Sequence, residues 1–162
     1  MNLNNIKNIL TEVNKLHIEL SKQPGIEKKQ PQNLSLEQVV TDKDLYKNVK
    51  ELFNNGHHAE AVKKAFVFLD NLVKSKSELD KTGADLMRAA FSANRPILRL
   101  NSFTSTSENN EQQGYMEIFA GAMIGIRNPR AHEHDWEDTQ ERALQLLGLA
   151  NHLIIRTRLS TK

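Results

Sequence analysis

A chain of 162 residues, 38% of them hydrophobic, is long enough to bury one core of ordinary size, and nothing in its length asks for a second domain. Its 22 basic side chains stand against 20 acidic ones, a formal net charge of +2, so bulk charge will not hold nucleic acid and any RNA contact has to be local. Cysteine is absent, which excludes disulfides, thiolate metal sites and cysteine nucleophiles; the opening MNLNNIKNIL lacks the profile of a secretory leader, and the most apolar run, MEIFAGAMIGI, falls short of the roughly 20 residues that span a bilayer, so a cytoplasmic setting is expected.

From Leu3 the apolar positions Ile6, Ile9, Leu10, Val13 and Leu16 keep helical spacing until the Pro24-Gly25 pair, which predicts an N-terminal helix. Residues 22–34 carry two prolines and few apolar side chains and read as a surface linker, so residues 1–40 form an extension and 41–162 the main domain. Thr41 or Asp42 can cap a helix over DLYKNVKELFNN, which Gly56 ends. Val62, Ala65, Phe66, Leu69 and Leu72 then make one apolar stripe of a buried helix. GADLMRAAF predicts a short helix, and Pro96 with the polar run NSFTSTSENNEQQG predicts an exposed loop. Over 114–126 Met116, Phe119, Met123 and Ile126 share a side, while Gly121, Ala122 and Gly125 let another backbone approach. The last helix is expected over 137–157, with Ala143, Leu146, Leu147, Ala150, Leu153 and Ile154 in phase. With no persuasive strand and no internal repeat, the fold class is all-α, a bundle of four or more helices.

Arg127, Asn128 and His132 crowd round Pro129, where two helical patterns meet. Proline lacks a donor and disfavours helical geometry in the residue before it, so the helix is expected to stop near Ile126 and the motif to sit at a corner. There Arg127 and His132 can converge on a small anion. Arginine presents a planar, permanently charged fork to phosphoryl oxygens, and histidine, with an unperturbed pKa of about 6.5, gives or takes a proton near neutrality. Charge stabilisation beside proton transfer is what cleavage of RNA by its own 2′-hydroxyl requires.

The run Arg127-Asn128-Pro129-Arg130-Ala131-His132 resembles the R-N-x-x-x-H signature of HEPN domains. NNGHHAEAVKKAF, GADLMRAAF and GYMEIFAGAMIGIRNPRAHE, in this order, are further similar to the Ymh-type bacterial family of conserved hypothetical proteins, over about residues 40–158. The resemblance implies an HEPN-like helical bundle and a metal-independent endoribonuclease without a cofactor, its site assembled across a homodimer. It also implies a place in toxin–antitoxin or phage-defence systems with an antitoxin or other partner protein. On that likeness Arg127 stabilises the charge on the scissile phosphate, His132 moves the proton, and Asn128 orients the phosphate or holds the corner. Arg130, Glu133 and His134 are the candidate substrate-binding neighbours. Some HEPN toxins carry a tyrosine two residues after the histidine that their antitoxin modifies; His134 stands there in this chain.

Plainer readings stay open beside these. The His132-x-His134 pair suggests a metal only if one or two further ligands, such as Glu133 or Asp135, stand close. His57 and His58 suit capping or a surface position, with Glu60 able to face the site, and Lys63 and Lys64 can guide RNA or simply be solvated. Trp136, the sole tryptophan, reads as a core anchor for the last helix. The alternative to a nuclease is a non-catalytic HEPN module that binds RNA, a nucleotide or a partner protein.

Overall fold

Side-chain caps set where many of the helices in this chain begin. The computed structural model describes residues 3–22, 34–133 and 135–162, and the chain falls into two units, Met1–Asn33 and Leu34–Lys162. The first contains α1 (Leu3–Lys22), whose Ile9, Leu10, Val13 and Leu16 are each more than half exposed. Residues 23–33 of the expected linker lie outside the described residues.

The second unit opens with a turn of helix that the sequence pattern did not reveal, α2 (Leu36–Val39). Ser35 and Gln38 form a reciprocal capping box around it. Leu36 and Val40 are buried, so residues 34–40 belong with the bundle rather than with the extension. Gly148 lets α2 lie close on the last helix: a Cβ there would stand 3.2 Å from Val39 Cγ1. Asp42 starts α3 (Lys43–Asn54) by accepting from the Leu45 N–H, as expected, and Gly56, at φ 82°, turns the chain into the next helix.

The long α4 (His58–Ser77) is the spine, flanked by α3, by α5 (Gly83–Ala90) and by α8 (Gln140–Leu159). Its Val62, Ala65, Phe66 and Leu69 are fully buried, with Leu72 at the margin, as their spacing predicts. Ala143, Leu147, Ala150, Leu153 and Ile154 of α8 meet them, and burying each large aliphatic or aromatic side chain stabilises the fold by roughly 1.5–3 kcal/mol. Two polar devices tie α8 to its neighbours. Asn151 accepts from the Thr41 and Asp42 N–H groups at 3.0 and 2.9 Å. Lys76 donates to the carbonyls of Thr157, Arg158 and Ser160, at 2.9, 2.8 and 2.6 Å, where a helix leaves its last carbonyls without partners. Thr139 caps α8, so this helix begins after the expected 137 and runs on to Leu159.

The expected loop over NSFTSTSENNEQQG is largely helix. Ser105 accepts from the Glu108 N–H, and Glu108 reaches back to the Thr104 N–H, starting α6 (Thr106–Ala122) eight residues before Gly114. Gln112 explains why the polar run holds: it is buried, donates to the carbonyls of Phe91 and Leu98, and accepts from the Leu100 N–H. Phe119 stacks on Phe91 with ring centroids 4.2 Å apart. Among the described residues the β structure is a single bridge between Arg99 and Thr161, and no helix is long and apolar enough to cross a membrane.

Candidate functional site

The helix that carries the motif does not stop at Ile126. From α6 the chain widens into a π-helical turn, Met123–Arg127, and passes directly into α7 (Asn128–His132). Asn128 keeps helical angles, φ −64° and ψ −44°, and its N–H reaches the Met123 carbonyl five residues back. This corrects the expected corner at Pro129. A proline inside an α-helix loses one hydrogen bond and presses on the carbonyl four residues earlier; the wider turn just before it relieves both conflicts without breaking the helix. The true corner is at Glu133, which leaves helical geometry at φ −101° and ψ 116°.

Asn128 and His132, one turn apart, therefore share a face of α7. Arg127 Nη1 donates to Asn128 Oδ1 at 3.1 Å, and its Nε is buried with no acceptor. No carboxylate among the described residues pairs with this half-buried guanidinium. His132 is exposed at the end of the turn. Glu133 is exposed beside it, and His134 lies outside the described residues.

Arg130 behaves in the opposite way. Its side chain is 1% exposed and grips the fully buried Asp138 with two bonds, Nε to Oδ2 at 2.6 Å and Nη2 to Oδ1 at 2.7 Å, while Nη1 donates to the Ile126 carbonyl at 2.7 Å. Every nitrogen of this guanidinium is engaged inside the protein, so Arg130 is a tie between the motif helix and the segment that follows, not the RNA ligand expected of it. Nothing in the sequence marked Asp138 as its partner, eight residues away across the corner. Trp136 is half-buried rather than central to the core, and it lies 5.3 Å from the Arg130 guanidinium and 5.7 Å from that of Arg142.

Close to this tie lies a cavity of about 380 Å³ between the start of α4 and the approach to α8, lined by Gly56, His57, His58, Ala59, Glu60, Trp136, Glu137 and Asp138. Glu60 thus faces a cavity, and His57 stands at the N-cap position without a side-chain capping bond. Among the described residues no three His, Asp or Glu side chains gather as a metal set.

On the motif helix the small residues divide. Ala122 enters the core with Phe119 and Met123, whereas Gly121 and Gly125 are exposed and a Cβ at either would meet nothing within 4 Å. Ile118 and Ile124 are exposed beside them.

An all-helical bundle with a polar motif set in one unbroken helix is thus the class of protein that fold and site define. The chain belongs to the family described as "Protein of unknown function (Hypoth_ymh)", whose model matches residues 40–156. No curated protein and no solved structure matches it.

Proposed function

We propose that the chain is an HEPN-like, metal-independent endoribonuclease acting as a toxin or phage-defence effector. The observation that carries this reading is the contrast between two arginines three residues apart. Arg130 is neutralised by Asp138, whereas Arg127 is half-buried, held by the neutral Asn128 oxygen and left with an unmet Nε donor. A guanidinium fixed in place without a counter-ion suits a phosphate. His132, one turn along the face of Asn128, supplies the proton-transfer group.

In this reaction the RNA provides its own nucleophile. The 2′-oxygen attacks the phosphorus, the bond to the 5′-oxygen breaks, and His132 takes the 2′-hydroxyl proton or delivers one to the leaving oxygen. Arg127 offsets the charge on the phosphorane. The products are a 2′,3′-cyclic phosphate and a 5′-hydroxyl. The exposed face of Gly121, Gly125, Ile118 and Ile124 supports pairing with a second copy, which would bring two motifs together.

His132→Ala is expected to lower the cleavage rate about 10²- to 10⁴-fold at unchanged helix content. Cutting by the wild type should continue in excess chelator, and a single 2′-deoxy sugar at the cut should block it. Undiminished cleavage by His132→Ala, or 5′-phosphate ends, refutes the mechanism. RNA binding with no cleavage by the wild type would instead favour a non-catalytic HEPN module.

A further inference from the structure

The cavity between the start of α4 and the approach to α8 has no part in the cleavage chemistry above, yet its wall is chemically two-sided. The N–H groups of Ala59 and Glu60 lie in the first turn of α4, where a helix offers no acceptor of its own, and His57 makes no side-chain capping bond. Trp136, in the same wall, keeps its indole Nε1 buried without an acceptor. Against the two first-turn amides stand the carboxylates of Glu60 and Glu137, both on exposed residues and neither paired with a cation among the described residues. Asp138 is already committed to Arg130 and Arg142.

A phosphate would find the helix N-terminus favourable but the two free carboxylates repulsive. A neutral ring with acceptors on one edge and adjacent donors on the next satisfies both halves. Of the RNA bases only guanine has that pattern: O6 and N7 accept, and N1–H and the N2 amino group donate side by side to one carboxylate. The cavity volume of about 380 Å³ falls within the roughly 300–1,000 Å³ of small-ligand pockets.

We propose that this cavity is a guanine site, in which Glu60 accepts from N1–H and the N2 amino group while the first-turn amides of α4 donate to O6. Asp138 links it to the motif helix, because the residue that forms part of its wall holds Arg130, between Arg127 and His132, through its carboxylate. That the guanine belongs to an RNA strand rests on the ribonuclease reading; a free guanine nucleotide presents the same edge.

Trp136 is the sole tryptophan, so its fluorescence reports occupancy in the full-length chain. Titration with GMP, AMP, CMP, UMP and inorganic phosphate should give saturable quenching by GMP at concentrations at least tenfold below any other probe. Glu60→Gln replaces one acceptor oxygen with an NH₂ group that opposes the base's donors, and it should raise the GMP half-saturation at least tenfold. Glu137→Gln should raise it less. Both positions are exposed, and thermal melting checks that each variant is folded. Mapping of RNA ends separates the two sources. A guanine fixed at one position beside the cut, with that preference lost in Glu60→Gln, assigns the strand. GMP binding by a chain that cuts no RNA assigns the free nucleotide and removes the ribonuclease reading alone. Equal quenching by all four nucleotides, quenching by phosphate alone, no quenching, or GMP binding unaffected by Glu60→Gln overturns the guanine site.

Discussion

Arg127 and Arg130 are the same residue type on the same helix, and their surroundings give them opposite duties. Arg130 grips Asp138 in a region where neither side chain meets solvent, so its role is to hold the corner. Arg127 has one neutral partner and a donor to spare. One conservative exchange, made at each position, separates the duties. Arg130→Lys keeps the charge but loses the two-pronged grip, and the loss of one charge-assisted bond, about 1.5–3 kcal/mol, should appear as a clear fall in Tm. Arg127→Lys should leave Tm within a degree or two of wild type and slow RNA cleavage. Equal Tm losses at the two positions would mean that Arg127 is structural as well. Residue chemistry drew attention to Arg127, Asn128 and His132 in the bare sequence, but it could not divide the two arginines. Their difference is made by a carboxylate on the far side of a turn, and no periodicity reports that.

Among the elements, α4, α5 and α8 were legible because their apolar residues recur every three or four positions and the core accepts that face. The start of α6 was not, because its inward residue at that point is Gln112, a polar side chain that earns burial by bonding three backbone groups. The Ser105-x-x-Glu108 pattern was the available signal for it. The junction of α3 with α8 lends itself to a pH test. Arg158 bonds Asp42 at 2.6 Å and Asp44 at 2.7 Å, linking the start of one helix to the end of the other. Burial opposes the Asp42 charge, but the Arg158 bond and the Leu45 N–H outweigh it, and the pKa of Asp42 lies below its ordinary value of 3.8. The stability this contributes is complete above that ordinary value and is lost as pH falls through the lower, folded one. Asp42→Asn keeps an acceptor for the cap but cannot ionise. Its Tm deficit against wild type should be constant near pH 6 and should shrink as melts are taken below the ordinary aspartate pKa. A deficit that widens toward low pH would show that the ion pair is not its cause.

For the molecule as a whole, the sequence conveyed an all-helical bundle and the family match shows its kin, while assembly turns on one face. The sequence marks Gly121 and Gly125 as places where another backbone can approach, and within the single chain the structure leaves both open. Leucine at 125 therefore has room in the single chain, and any effect must come from whatever approaches that face. If a second copy does, Gly125→Leu should convert a dimer to monomers in sedimentation while Tm at low concentration stays near wild type, and cleavage should fall with the dimer. A Gly125→Leu protein that sediments and cuts like wild type would remove the face from the assembly.

The π-helical turn works as a phase adjuster. Measured against an ordinary α-helix, Met123–Arg127 accommodates one residue too many, which holds everything after it about 100° of rotation behind its place in a continuous α-helix. Tightening the turn to ordinary pitch with every residue kept would swing Arg130 away from Asp138 and point the face shared by Asn128 and His132 elsewhere. Removing one residue there instead lets Asn128 bond the same Met123 carbonyl as an ordinary fourth neighbour and keeps that face in place. The bearing of the motif is thus encoded by the width of one turn as well as by its side chains.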